Sequence, residues 1–141
     1  MDCVFCAIVA GDLPASRVYD DDLVLGFMDL NPATPGHLLV VPKRHAADLA
    51  GLDPDDGAHM FRVAQRLAAA VRASAVAPEG INLFLADGEV AGQEVFHAHL
   101  HVVPRRRGDG FGVRAVFGSP SREELDRHAR EIRTALDASR S

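Results

Sequence analysis

The chain of 141 residues lacks any apolar run near the roughly 18–20 residues that a membrane span needs, so integration into a bilayer is not expected. Its start, Met1-Asp2-Cys3-Val4-Phe5-Cys6, has neither a basic n-region nor a long apolar h-region. No secretory signal is therefore expected, and the cytoplasm is the expected location. A basic excess is missing too. Lys+Arg 15 against Asp+Glu 20 gives −5, which argues against a nucleic-acid coat and leaves small anionic ligands open. Internal repeats, low-complexity tracts and a dividing linker are absent, so one domain over residues 1–141 is expected. With 48% hydrophobic and 25% charged residues, the balance is that of a globular protein rather than a disordered one.

Cysteine is scarce: Cys3 and Cys6 are the only two. A disulfide between residues so close would constrain almost nothing, whereas in a reducing compartment this spacing is a metal half-site or a redox pair. The histidines are more telling. Five of the seven fall in two places, His37 with His45 and then His97, His99 and His101.

Turn signals and periodicity outline an α+β fold, an antiparallel sheet carrying helices. Residues 3–10 read as a short helix or turn closed by Gly11-Asp12-Leu13-Pro14. Residues 17–19 and 23–28 read as strands around Asp20-Asp21-Asp22, taken as a solvated turn rather than a metal site. Residues 37–41 form a buried strand stopped by Pro42. Asp53-Pro54 caps a helix over 54–75 with Met60, Val63, Ala64, Leu67, Ala68 and Val71 at helical spacing; His59 near its start is read as structural. Residues 81–85 and 96–103 are further strands, and Ser121-Arg122-Glu123-Glu124 opens a C-terminal helix over about 121–138.

His97-Ala98-His99-Leu100-His101 is the informative segment. On a strand the three imidazoles would line one face, about 6.6–6.8 Å apart, with Ala98, Leu100 and Val102 on the other. Three such histidines suit two chemistries. They could hold a catalytic metal, or one could attack phosphorus while its neighbours orient it and bind the anion. The preceding Gly88-Glu89-Val90-Ala91-Gly92-Gln93 could bring backbone N–H groups and the Gln93 amide to phosphate oxygens.

Gly92-Gln93-Glu94-Val95-Phe96-His97-Ala98-His99-Leu100-His101-Val102-Val103 resembles the signature of the histidine triad superfamily, His-φ-His-φ-His-φ-φ after Gly-Gln. The resemblance extends through Phe5-Cys6-Ala7-Ile8, Gly11-Asp12-Leu13-Pro14, Phe27-Met28-Asp29, Pro35-Gly36-His37-Leu38-Leu39-Val40, Pro42-Lys43-Arg44-His45 and Gly108-Asp109-Gly110-Phe111, covering about residues 3–111. The branch it most resembles is that of bacterial nucleoside-phosphoramidase-like proteins; the dinucleoside polyphosphate hydrolases come next.

That resemblance implies a five-stranded antiparallel sheet with one long central helix. It implies a homodimer joined through helix 54–75 and one strand into a ten-stranded sheet. It implies a hydrolase acting at the α-phosphorus of a purine nucleotide, with no nucleic-acid or membrane partner. His99 would form a covalent nucleotidyl-histidine, His101 would contact the phosphate oxygens, His37 would support the site and Gln93 would hydrogen-bond the phosphate. Asp29 would hold the ribose hydroxyls, and Phe5, Ile8, Phe27 and Leu30 would form the base slot. Cys3, Cys6, His45 and His97 would bind a structural zinc ion, with no organic cofactor.

Two positions depart from the family pattern. Ala86 stands where an amide side chain is usual, and Glu94 follows Gly-Gln where Ser or Thr is common. A carboxylate there would repel phosphate, so Glu94 is expected to point away or pair with a cation such as Arg105-Arg106-Arg107, itself read as a solvated strand end or a charge for a polyphosphate tail. These departures keep alive a zinc- and nucleotide-binding partner protein with negligible turnover.

Overall fold

Leu38-Leu39-Val40-Val41 places apolar side chains on both faces of a strand, which is stable only where both faces are covered. The computed structural model, which describes residues 2–139, satisfies this demand. Its elements are α1 (Val4–Ala10), β1 (Arg17–Asp20), β2 (Val24–Met28), β3 (Leu38–Pro42), α2 (Pro54–Ala73), β4 (Gly80–Phe84), a 3₁₀ turn (Glu89–Ala91), β5 (Leu100–Arg105) and α3 (Arg122–Ala138). The five strands form one sheet in the order β1-β2-β3-β5-β4, every pair antiparallel.

Strand alternation sorts the core into two layers. Val24, Leu38, Val40 and Val102 pack with Met60, Val63, Ala64, Leu67 and Val71 of α2. Leu25, Phe27, Leu39 and Val41 face the other way and pack with Phe5 and Ile8 of α1. Each fully buried aliphatic side chain contributes about 1.5–3 kcal/mol, so the two layers together anchor both helices. The α2 cap is as expected: Asp53 accepts from Asp55 N at 2.8 Å and Asp56 N at 3.3 Å, with Pro54 in the first turn.

The register aligns one row across the sheet on the α1 side: Phe27 opposite Leu39, Leu39 opposite His101, and His101 opposite Phe84. Here the expected strand over 96–103 is corrected. The ladder of β5 begins at Leu100, so His97 and His99 precede it. Its partner β3 ends in Pro42, which has no N–H to continue the pairing. The Pro42 carbonyl instead takes the His97 ring at 2.7 Å, and Ala98 N donates to Ala46 O at 2.7 Å.

The acidic turn is more than a solvated one. Asp21 accepts from Leu23 N and Val24 N, both at 2.8 Å, and from the Tyr19 hydroxyl at 2.6 Å. His59 Nε2 of α2 lies 2.6 Å from the same carboxylate, which gives that histidine the structural role expected of it.

Residues Met1–Phe111 form one compact unit and Gly112–Ser141 a second. In the second, Ser121 caps α3 by accepting from Glu124 N at 3.1 Å, and none of the described α3 residues is buried. Among the described residues, no helix is long and apolar enough to cross a membrane.

Candidate active site and metal cluster

Cys3 is the N-cap of α1, and its sulfur accepts from Cys6 N at 3.3 Å. The C-x₂-C spacing thus puts both thiols on the first turn of one short helix. His45 follows the end of β3, and His97 precedes β5. The four ligand atoms lie within 4.8 Å of one another. Cys3 Sγ is 3.4 Å and Cys6 Sγ 3.5 Å from His97 Nδ1; Cys6 Sγ is 3.4 Å and His97 Nδ1 3.2 Å from His45 Nδ1.

A tetrahedral zinc site with Zn–S about 2.3 Å and Zn–N about 2.0–2.1 Å has S···N edges near about 3.6 Å and N···N edges near about 3.3 Å. The observed separations match those edges, so the residues fit such an ion. The second shell agrees. His97 Nε2 donates to Pro42 O, which leaves Nδ1 as the lone-pair nitrogen facing the thiols.

Hydrogen-bond partners also set the tautomers of the other imidazoles. His37 Nδ1 accepts from Ala33 N at 3.0 Å, so Nε2 carries the proton and donates to His101 Nδ1 at 2.9 Å. His101 therefore presents Nε2–H. His99 Nδ1 donates to His97 O at 2.7 Å, so its Nε2 holds the free lone pair. The His99 and His101 rings are 4.8 Å apart between centroids.

These imidazoles favour the neutral form. Burial lowers the pKa of His99. Burial, helped by repulsion from His99, lowers that of His37 against the pull of Asp29. Burial first, then the charges of His99 and His37, brings His101 down to about 4. A neutral imidazole with one free lone pair, beside a second presenting N–H, can attack an electrophilic centre and bind an anionic oxygen together.

Around this pair stand most of the residues expected from sequence. Phe5 meets His99 edge-on at 5.0 Å and Phe27 at 5.4 Å; with Ile8 they form a buried apolar wall. Leu30 does not join it and is 92% exposed. Asp29 Oδ2 lies 3.5 Å from His37 Nε2, and Oδ1 accepts from Asn31 N at 2.8 Å.

The glycine loop differs from expectation. Gln93 is buried, its Nε2 donating to Ala47 O at 2.6 Å and Val95 O at 3.1 Å while its oxygen accepts from Gly88 N at 2.8 Å. Both amide N–H groups are engaged by protein carbonyls, so the side chain latches the loop in place. Gly88 and Gly92, at φ of 96° and 98°, bracket the 3₁₀ turn in a backbone region few other residues adopt. The N–H groups of Ala91, Gly92 and Gln93 bond within the loop rather than outward.

Ala86 is buried and Glu94 is exposed. Arg105 is not a solvated strand end. It clasps Asp109 at 2.7 and 2.9 Å, bonds Asn82 Oδ1 at 2.7 Å and the Phe111 carbonyl, and lies over the Phe111 ring. Sequence reasoning missed Phe84, whose ring stacks on His101 with centroids 4.2 Å apart. Its only signal was strand position, which needs the register to interpret.

An antiparallel α+β sheet, a Cys/His cluster that could hold a metal ion and a pair of adjacent imidazoles, His99 and His101, define a histidine-centred site. The model of the HIT domain family matches residues 10–108, and the chain belongs to that family. An uncharacterised HIT-like protein of Mycobacterium tuberculosis is 44% identical over 141 residues, covering 98% of this chain and 97% of that one. The adenosine 5′-monophosphoramidase of Schizosaccharomyces pombe is 33% identical over 137 residues, covering 96% and 99%. The crystal structure of a zinc-bound histidine triad family protein from Mycobacterium smegmatis superposes with a TM-score of 0.76 at 48% identity, covering 99% and 98%.

The lowered pKa of His101 has a measurable consequence. The unfolded ring titrates near 6.5 and the folded one at about 4, so between these values the unfolded chain binds more protons. The stability contribution is complete above pH 6.5 and is lost as pH falls towards 4. Urea midpoints of the wild type should fall across this window, and His101→Asn should flatten the decline; an unchanged slope would refute the shift.

Proposed function

We propose that the protein hydrolyses a P–N or P–O bond at the α-phosphorus of a purine nucleotide, releasing a nucleoside monophosphate. The observation that carries this reading is the locked tautomer of His99, which leaves Nε2 as a free lone pair beside the Nε2–H of His101. The name of the fission yeast relative supports the substrate class.

In this mechanism His99 Nε2 attacks the α-phosphorus, and the P–N or P–O bond to the leaving group breaks. The leaving group takes a proton from solvent. His99 then carries the nucleotidyl group with Nδ1–H still on the His97 carbonyl, which stabilises the positive ring. His101 Nε2–H donates to a non-bridging oxygen, oriented through Nδ1 by His37. Water attacks the same phosphorus and gives up a proton to solvent, the P–N bond to His99 breaks with its electron pair returning to Nε2, and the monophosphate leaves with the neutral imidazole regenerated. The base would rest against Phe5, Ile8 and Phe27, and Asp29 would hold the ribose.

Incubation with adenosine 5′-phosphoramidate and with diadenosine polyphosphates tests this. His99→Ala should lower kcat by about 10³-fold or more. Equal rates for wild type and variant on every substrate would leave only nucleotide binding.

Cys3, Cys6, His45 and His97 would hold a zinc ion, and a closed set of four ligands gives it a structural role: it would tie the start of α1 to the lead-in of β5. Protein purified without chelator should carry about one zinc per chain. Cys6→Ser should lower that content; substoichiometric zinc indifferent to the substitution would dismiss the site.

A second copy completes the reading. β4 lies at the sheet edge, and α2 leaves Phe61 55% exposed. Pairing of two copies through α2 and one strand would extend the sheet to ten strands under a two-fold axis, the commonest closed symmetry. Sedimentation at micromolar concentration should give twice the monomer mass, and a monomer mass would refute the pairing.

A further inference from the structure

We propose that Phe84 is a positioning residue for His101, fixing the plane of its imidazole so that Nε2–H points at the reacting phosphoryl group. The inference rests on the nucleotidyl-transfer reading above and adds a side chain to which neither the family signature nor the spacing of the histidines gave a role.

Phe84 and His101 are direct cross-strand partners on β4 and β5, so their side chains leave the same face of the sheet side by side. Their rings lie 4.2 Å apart between centroids with planes 13° from parallel. On the other side His37 Nε2 donates to His101 Nδ1 at 2.9 Å.

These two contacts do different things. The second torsion of a histidine side chain is broad and roughly two-fold. A single hydrogen bond at Nδ1 fixes one vertex of the ring but permits tilting about that contact. A flat ring against the imidazole face removes the tilt. Together they define one direction for Nε2–H, and a hydrogen bond to a phosphoryl oxygen weakens steeply with angle.

Phe84 also shields one face of His101 from water while bringing no charge. The charged and titratable groups around the ring are His37, His99 and Asp29. Phe84 is itself anchored near Phe111, whose ring centroid is 6.2 Å away and whose neighbour Arg105 is held by Asp109. The stack therefore has support behind it, although Phe84 is 37% exposed at the sheet edge.

Phe84→Leu, Phe84→Ala and Phe84→Tyr, made in the full chain with its zinc content verified, separate a positioning role from a packing role. On adenosine 5′-phosphoramidate, Phe84→Leu keeps apolar bulk but loses the flat face. It should lower kcat by about tenfold or more with KM changed by less than about threefold. Phe84→Tyr should restore kcat. The acid limb of the kcat profile and the ¹⁵N titration of the His101 ring should both move to higher pH in Phe84→Leu, because water reaches the imidazole.

A Phe84→Leu enzyme with wild-type kcat and an unmoved His101 titration would overturn the proposal. So would a loss of kcat explained by a drop in sedimentation mass, which would assign Phe84 to subunit association. If Phe84→Ala does not fold, the Leu and Tyr variants decide the matter alone. If the wild type turns over no nucleotide, the functional reading fails, and the His101 titration in Phe84→Leu still decides whether the ring holds the imidazole.

Discussion

The hydrogen bond from His97 Nε2 to the Pro42 carbonyl is the contact on which the arrangement of the site depends. Pro42 ends β3 without a donor for the next strand, so the chain before Leu100 cannot continue the ladder. Its carbonyl is then free to take the His97 ring. That single bond turns His97 Nδ1 towards Cys3, Cys6 and His45 and leaves it as the lone-pair nitrogen of the ring. It also leaves the His97 carbonyl for His99 Nδ1, which settles which nitrogen of His99 is free. A proline at a strand end thus divides three alternating histidines between the Cys/His cluster and the His99–His101 pair.

The partition explains why the N-terminal helix matters to a site built on β5. α1 has seven residues, too short to persist on its own. It is held by Phe5 and Ile8 in the core layer on its own side of the sheet and by the contacts of its two thiols with His97 and His45. Phe5 then stands against His99, as Phe84 stands against His101. The two imidazoles are flanked by aromatic rings from elements far apart in sequence, one edge-on and one face-on. Both walls withdraw water, and both imidazoles are held neutral by burial first.

Much of this was legible in the sequence. The continuous apolar run of β3, the Asp53-Pro54 cap and the periodicity of α2 were local signals and gave the elements within a residue or two. The grouping of Cys3, Cys6, His45 and His97 was legible only through family resemblance, because spacing alone named the cysteine half. What stayed hidden depends on pairing register or on satisfied polar groups. The start of β5 hinged on Pro42 in another strand, and the stack of Phe84 on His101 needed the β4–β5 register. Gln93 read as a phosphate donor because its amide is polar and lies beside a glycine loop. Once buried, the same amide must satisfy three bonds locally, and it does so with Gly88, Ala47 and Val95.

Those satisfied bonds shift the burden of anion binding. With the Gln93 amide N–H groups committed to the loop, Ala86 in place of an amide, and Glu94 a carboxylate, three positions before the triad offer no free side-chain donor to a phosphate. The loop N–H groups of Ala91, Gly92 and Gln93 close on Gly88 and Glu89. Among the side chains, stabilisation of charge in the proposed transfer then falls mainly on His101 Nε2–H, a donor whose value depends on its angle. A site with many side-chain donors tolerates tilt in any one of them; a site with few does not. That is the physical reason for a hydrogen bond from His37 on one side of the ring and a flat aromatic face on the other.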